Sequence, residues 1–339
     1  MSPQVTYKSN EDRAPGVGVD AAGKPVAPAP RLVDAVRRAY TPSHGRAPSA
    51  MPLPPVGLED LGPAAALRVV GPDREKWLQG MQSGDLSAAP FGGATAGSFL
   101  GGRGRLVAEG LLWRREGEVL ITTEPSRVDV LQAHLDKLLI MEDCELSAAQ
   151  GLRRLRYWPG EAPPRVSEAI TGSAQPLGFE LLLPEPEAQA LLEELSERPR
   201  PELAEAWRVA IGVPAWGKDL DEETTPIEAG LDRMLSYEKG CYVGQEVVAM
   251  ATYRGRVSWN LVRLELAGEA PAPGTRIDPA RGAKGRVTSS TQVGGVALLL
   301  GYVHRELIPG GSQVTLEDGR TATVLGLPYG SLPGAGVCA

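Results

Sequence analysis

The sequence predicts an α+β protein whose C-terminal part is a small antiparallel β-barrel. Three features carry that expectation. Strand-like and helix-like stretches are mixed without the regular βαβ repeat of a parallel sheet. After Arg256 the texture changes to short β-rich runs broken by Gly and Pro (WNLVRLEL, KGRVTSST, VALLLGYV, SQVTLED, RTATVLGL), and closely spaced strands of this kind suit a small barrel. With 339 residues, 42% of them hydrophobic and 23% charged, the chain exceeds one typical domain and can bury a sizeable core. The expected division is a leader over residues 1–55, an α+β domain over 56–255 and the barrel over 256–339.

The elements follow in order. Residues 1–55 are rich in Pro, Ala, Gly and Ser and hold one short helical-looking piece, RLVDAVRRAY. They lack the periodic apolar surface that would offset their ordering entropy, so a mostly disordered leader is expected. PDREKWLQGMQ (72–82) predicts a short helix, with Pro at its start and Trp77, Leu78 and Met81 at helical spacing. LVAEGLLW (106–113) and EVLITT (118–123) read as two strands joined by a charged, glycine-containing turn. SRVDVLQAHLDKLLI (126–140) predicts an amphipathic helix capped by Ser126, with Val130, Leu131, His134, Leu135 and Leu138 near one face. EPEAQALLEELSER (185–198) and ELAEAWRVAIG (202–212) predict two more helices, split by Pro199 and Pro201.

Composition narrows the function. A net charge of −7 leaves no broad electrostatic footprint for nucleic acid, because phosphate binding draws on clustered Lys and Arg; strong direct nucleic-acid binding is not expected. No apolar run approaches the roughly 18 residues that span a bilayer, and no charged segment leads into an apolar one at the N-terminus. Neither a membrane partner nor a secretory signal is expected. Cys144, Cys241 and Cys338 are odd in number and far apart, which argues against a disulfide framework and for a reducing compartment, the cytoplasm. His44, His134 and His304 are scattered without the spacing of a zinc site, and no metal centre is expected. GSFLGGRGRLVAEG (97–110) has the glycines of a phosphate-binding loop, but a strand follows where a helix should open, so a hairpin turn is the better reading.

Most of the chemistry gathers in KGCYVGQE (239–246). Lys239 stands two residues before Cys241, and Arg254 and Arg256 follow in YRGR; a cationic neighbourhood of this kind lowers a thiol's pKa. Gly240 and Gly244 permit backbone conformations and close approach that bulkier residues forbid. The residue types describe either a thiol displayed on a tight loop or an inert cysteine buried at a glycine-rich bend.

KGCYVGQE, with ATYRG after it, closely resembles the signature of the YgfZ family, the folate-binding relatives of the glycine cleavage T-protein that support iron–sulfur proteins. The preceding WRVAIGVPAWGKDLDEETTPIEAGL, the earlier WLQGMQSGDLS (77–87), and KGRVTSS with the final strands extend the resemblance over most of the chain after the leader. It implies a T-protein-like folate-binding domain with ferredoxin-like elements, followed by a barrel. It further implies an accessory factor in iron–sulfur cluster assembly or repair, tied to tRNA modification only through enzymes that carry such clusters. Tetrahydrofolate or a folate derivative is the implied cofactor, and iron–sulfur assembly or client proteins are the implied transient partners. Cys241 is then a transient ligand or redox thiol, with Lys239 beside it. For the folate, Glu228 and Gln245 suit the donor–acceptor edge of the pterin, Tyr242, Trp77 or Trp113 its flat ring, and Arg254 or Arg103 its anionic tail. Asp85 stands in the turn after the leucine–glutamine helix, and Gly240, Gly244 and Glu246 complete the frame of the motif.

Departures from the T-protein pattern bear on activity. Its arginine-leucine-glutamate-alanine-glycine run is RVAIG here, with Ala210 at the carboxylate position, and its paired aspartates are Ala108 and Glu109. Losing a charged group at an aminomethyl centre costs orders of magnitude in rate, so a glycine cleavage enzyme is not expected. Three unclustered cysteines also fall short of the four ligands an iron–sulfur cluster takes. Two other readings stay open: a folate-dependent C1 transferase or demethylase of T-protein type, and a tRNA-binding module resting on GGRGR and YRGR.

Overall fold

Alternation of side chains along each strand sorts the strands into three antiparallel sheets. The computed structural model describes residues 46–158, 172–254 and 257–329, which all fall in one unit, Pro42–Ala339. Strand β1 (Gly57–Pro63) belongs to the second sheet. The first sheet joins β2 (Ala66–Val70), β3 (Ala94–Leu100), β4 (Leu106–Arg115), β5 (Glu118–Thr123) and β6 (Glu145–Ala149) in the order β3-β4-β5-β2-β6. Leu67, Val69, Leu112, Val119 and Ile121 share one face, which helices α1 (Arg74–Met81) and α2 (Val128–Asp136) cover with Trp77, Leu78, Leu131 and Leu135. Ala66, Leu111, Trp113 and Leu120 take the opposite face and meet Leu152 and Leu182 of the second sheet. A strand period of two, with apolar residues on both sides, is what a sheet buried on both faces requires.

The second sheet runs β1-β7-β9-β8, with β7 (Leu152–Trp158), β8 (Gly172–Gln175) and β9 (Gly178–Pro184). Helix α3 (Glu185–Glu194) covers its outer face through Ala188 and Leu191. Register places Arg156 opposite both Glu59 of β1 and Glu180 of β9. Helix α4 (Pro201–Ile211) starts on a proline in its first turn and ends at Gly212 in the left-handed region (φ 80°), as sequence signals for a helix start and stop dictate. Its Val209 and Ala210 pack on Leu261, Leu298, Leu300 and Tyr302 of the third sheet.

That sheet comprises β10 (Trp259–Ala267), β11 (Arg286–Val293), β12 (Val296–His304), β13 (Gln313–Thr315) and β14 (Thr321–Gly326), ordered β11-β12-β10-β14-β13. The expected barrel is not confirmed: these strands form one five-stranded sheet, with no ladder between β11 and β13 among the described residues. Isolated bridges at Arg276–Arg286 and Ile277–Leu316 are what spans the two edges. The linking segment carries Pro271, Pro273 and Pro279, which cannot donate to a ladder.

Other expectations shift at their ends. The helix expected over 126–140 is a 3-10 turn, Pro125–Arg127, followed by the shorter α2; Ser126 lies inside that turn, Leu131 and Leu135 are buried, and Val130 is exposed. Helix α3 stops at Glu194, well ahead of Pro199: Leu195 is already extended, and its N–H closes the last turn on Leu191 O. Residues 46–55 are placed: Pro48 is buried, Met51 packs beside the cluster between α4 and the third sheet, and Arg46 N donates to Leu325 O at 2.6 Å. Residues 1–45, including RLVDAVRRAY, lie outside the described residues. No helix among the described residues is long and apolar enough to cross a membrane.

Candidate functional site

KGCYVGQE forms a loop that closes on the start of helix α5 (Gln245–Arg254), and contacts to the end of α1 set its shape. Val243 N donates to Gly80 O at 3.1 Å, and Ser236 N to Ser83 O at 2.8 Å. Lys239 Nζ donates to Gln79 O at 2.6 Å and also to Gln82 O, and lies 5.0 Å from the centre of the Tyr242 ring. A helix C-terminus leaves carbonyls without partners and carries the negative end of the dipole, which suits an ammonium. Burial still pushes the Lys239 pKa down to about 8, with Asp85 opposing. Gly244 has φ 82°, and a Cβ there would stand 2.9 Å from Leu100 Cβ, so only glycine fits the bend. A Cβ on Gly104 (φ 70°) would meet Val247 at 2.7 Å, so the GGRGR turn is seated directly on α5. Cys241 is exposed on the loop held this way.

Across the apolar cluster that holds Leu100, Leu106, Leu231, Met234 and Tyr242 lies a cavity of about 420 Å³. The first two sheets and the segment from Arg208 to Met234 wall it. Met234 lines it, and its carbonyl accepts from Ser83 Oγ at 2.7 Å, which links the cavity wall to the end of α1. Glu180 interrupts the apolar run of β9, and Arg154 Nη2 (2.7 Å) and Arg156 Nη2 (2.9 Å) donate to its two oxygens. Burial works to raise the Glu180 pKa, but the two guanidiniums override it and hold the carboxyl at about 2. Arg156 Nη1 also reaches Glu59 Oε2 at 3.3 Å, where Trp158 Nε1 donates at 2.9 Å.

Glu109 and Arg233 complete the charged wall. Burial raises the Glu109 pKa, and the charges of Arg233 and Arg154 pull only part of the way back. Arg233, in the 3-10 turn Asp232–Met234, has Nε and Nη1 buried with no hydrogen-bond partner, and burial lowers its pKa against the charge of Glu109. No direct ion pair joins Glu109 to Arg233 among the described residues. Trp216, another wall residue, is held by the Arg127 guanidinium 4.5 Å over its ring.

None of residues 239–246 lines this cavity, so the motif and the cavity are separate places. Trp77 and Trp113 are corrections: they are 3% and 0% exposed, enclosed on opposite faces of the first sheet, and offer no open ring face for stacking. Trp113 Nε1 donates to Thr122 Oγ1 at 2.8 Å within that core. Tyr242 is buried under Lys239, and burial, with Tyr237 nearby, pushes its phenol up to about 12. Glu228 stands away from the cavity: its carboxylate accepts from Thr225 N (3.2 Å), Thr225 Oγ1 (3.1 Å) and Lys284 Nζ (2.7 Å), clasping its loop to the third sheet. Asp85 accepts from Gln79 Nε2 (2.6 Å) and Ser87 N (3.0 Å), capping the 3-10 turn Leu86–Ala88. Gln245 and Glu246 form the first turn of α5, where an acidic side chain suits the dipole. Arg103 is exposed on the turn; Arg254 ends α5, and its side chain, Arg256 and Cys338 lie outside what is described. Cys144 is half-buried, and burial pushes its thiol up, as do Glu142 and Asp73. No group of three or more His, Cys, Asp or Glu among the described residues is arranged to hold a metal ion.

Sequence reasoning missed Arg154, Arg156, Glu180 and Arg233. Three of them left a signal: RLR puts Arg154 and Arg156 on one strand face, and Glu180, a lone acid inside GFELLLP, calls for a cation. Nothing in the sequence marks Arg233.

No family model matches the chain. The solved structure of the glycine cleavage system aminomethyltransferase T from Bartonella henselae matches with a TM-score of 0.64 at 19% identity, covering 88% of this chain and 90% of that one. The fold is thus that of a T-protein. Among curated proteins the chain is similar to the tRNA-modifying protein YgfZ of Klebsiella pneumoniae, 25% identical over 326 residues, which cover 86% of this chain and 98% of the relative. It is also similar to the mitochondrial iron–sulfur cluster assembly factor IBA57 of Mus musculus, 27% identical over 260 residues, which cover 68% of this chain and 71% of the relative. Over most of its length the chain is thus similar to YgfZ-type proteins, on a T-protein fold.

Proposed function

We propose that the protein is a folate-binding accessory factor for iron–sulfur cluster assembly or repair, which supports tRNA-modifying enzymes that carry such clusters. The observation behind this reading is an exposed thiol, Cys241, outside a cavity lined by charged residues, in a T-protein fold. The cavity suits a reduced folate. Its volume of about 420 Å³ lies in the range of small-molecule sites, and the Glu109 carboxyl with the unpartnered nitrogens of Arg233 matches a ligand edge that both donates and accepts. A bound reduced folate supplies a carrier for one-carbon units and an oxidisable ring. Glu109, Arg233, Trp216 and Leu220 line the space it would take, and Cys241 stays exposed, free to meet a partner protein. An exposed thiol of this kind persists in a reducing compartment, which supports a cytoplasmic setting. Aminomethyl transfer of the T-protein type is disfavoured, because Ala210 faces the third sheet and brings no carboxylate to the cavity.

The test is rescue of a cluster-dependent tRNA-modifying enzyme in cells that lack their own factor. The wild-type chain is expected to restore activity. Cys241→Ser keeps the size of the side chain and replaces a readily ionised thiol with a hydroxyl that stays protonated, so it is expected to fold and fail to rescue. Full rescue by a variant with unchanged circular dichroism and melting would show that the thiol is dispensable and sink the reading.

A further inference from the structure

Strand β6 is an edge that the rest of the chain leaves bare. Each of the other five sheet edges holds a backbone hydrogen bond to a segment outside its own sheet: β1 at Leu58 N, β3 at Ser98 O, β8 at Gly172 N, β11 at Val287 N and β13 at Thr315 O. No such bond reaches β6 among the described residues. Only β2 pairs with it, and a strand points alternate N–H and C=O groups to each side, so its outer row stands ready for another strand. The devices that blunt an edge are missing: ELSAA holds neither proline nor lysine, and its register with β2 runs from Val70–Glu145 to Ala66–Ala149 without a bulge. Ser147 and Ala148 are exposed, and their small side chains let a neighbouring strand come close.

The turn that leads into β6 displays Ile140 and Met141, 78% and 90% exposed, more than any other large apolar residue among the described ones. The turn is built to hold them out. The Glu142 carboxylate accepts from Ile140 N at 3.3 Å and Met141 N at 3.1 Å. Asp143 N donates to Asp73 Oδ2 at 2.9 Å and Asp73 N to Asp143 O at 3.3 Å, which latches the turn to the segment after β2. A surface ordered in this way loses little entropy on binding. Its charge selects the partner: DKLLIMEDCE (136–145) carries four carboxylates, all exposed, against one lysine. An anionic lipid surface or a second copy of the same turn is repelled, and a cationic segment is drawn in.

Independently of the folate reading, we propose that β6 and the Ile140–Met141 turn form a strand-addition site for an extended apolar segment of a partner protein that carries Lys or Arg. Main-chain pairing with the outer row of β6 supplies affinity, Ile140 and Met141 supply apolar contact, and the carboxylates select the cations.

Three short probes test this on the full chain: a peptide of alternating lysine and valine, its glutamate–valine counterpart, and the lysine–valine peptide with methylated backbone amides. The lysine–valine peptide is expected to bind and to slow hydrogen exchange of the outward amides of β6 by about tenfold or more. The glutamate peptide is expected to bind more weakly, and the methylated one, which cannot donate to a strand, not at all. Ile140→Ser combined with Met141→Ser changes only exposed side chains, so that variant is expected to melt as the wild type and to bind the lysine–valine peptide about tenfold more weakly. Unchanged β6 exchange at saturating peptide, or equal binding of the methylated peptide, would overturn strand addition. Undiminished affinity in the double variant, or equal binding of the glutamate peptide, would overturn the site as an apolar turn that selects cations. Exchange at β6 that slows as the protein is concentrated without peptide, with a dimer in sedimentation, would overturn the proposal in favour of a second copy of this chain. Slowing by phosphatidylglycerol vesicles and by no peptide would overturn it in favour of a lipid surface.

Discussion

Neighbouring residues Ala108 and Glu109 have opposite fates because successive side chains of a strand leave opposite faces. Ala108 goes into the core under α1 and α2, and Glu109 goes to the cavity. Burial there raises the Glu109 pKa, with Arg233 and Arg154 opposing. The unfolded chain ionises this side chain near the ordinary carboxyl value, about 4.3, so between that pH and the higher folded pKa the folded state holds the extra proton. Stability contributed by this site falls as pH rises through that interval and stays lower above it. Glu109→Gln removes the penalty, and the variant is expected to melt higher than wild type at neutral pH, with the gain vanishing as pH approaches about 4. Melting curves of both proteins across that range check it. A difference in Tm that is the same at every pH would mean that the carboxyl titrates alike in the folded and unfolded chain.

At the scale of elements, Lys239 binds a helix end. Its amine sits on the carbonyls of Gln79 and Gln82, so its contribution to Cys241 is the shape of the loop. Lys239→Met keeps an apolar stem and removes bonds from a charged donor, each worth about 1.5–3 kcal/mol. Protection of the Val243 amide, which donates to Gly80 O, is expected to fall by about tenfold or more in hydrogen exchange. Unchanged protection would show that Gly244 and its neighbours hold the loop by themselves. Sequence periodicity made α1, α4, β4 and β5 legible because each buries a face at its own spacing. Ends were less legible: α2 is shortened by a 3-10 turn at Pro125, and isolated bridges stand in place of a ladder along the proline-bearing segment of the third sheet. The motif at Cys241 could be read locally because its glycines and its lysine act within a few residues and one helix end. The cavity could not, since Glu109, Arg154, Glu180 and Arg233 come from four separate stretches that only the sheets bring together.

On the scale of the whole molecule, the acidic segment DLDEE (219–223) ties distant parts together through four arginines from separate stretches of the chain. Asp219, with its side chain fully buried, accepts from Arg208 Nη1 of α4 at 2.7 Å and from Ser289 Oγ of β11 at 2.8 Å, and Thr288 Oγ1 donates to it as well. Tyr302 Oη of β12 donates to the Asp219 carbonyl at 2.9 Å. The next residues pair at the surface: Asp221 with Arg286 at 3.7 Å, Glu222 with Arg127 at 2.6 Å, and Glu223 with Arg105. Glu223 is 72% exposed, and an exposed pair contributes no more than about 1 kcal/mol and is screened by salt. Asp219 has no such escape, because removing it leaves Arg208 with Glu205 as its carboxylate partner and takes the shared buried acceptor from Thr288 Oγ1, Ser289 Oγ and Ala215 N. Asp219→Ala is therefore expected to cost on the order of 3–5 kcal/mol, and Glu223→Ala less than about 1 kcal/mol. Urea midpoints at low salt and at roughly 1 M salt separate the two. The Glu223→Ala loss should disappear at high salt and the Asp219→Ala loss should persist. If Asp219→Ala cost no more than Glu223→Ala, apolar packing of Val209 and Ala210 on the third sheet would be what joins α4 to that sheet, and the buried network would be incidental to it.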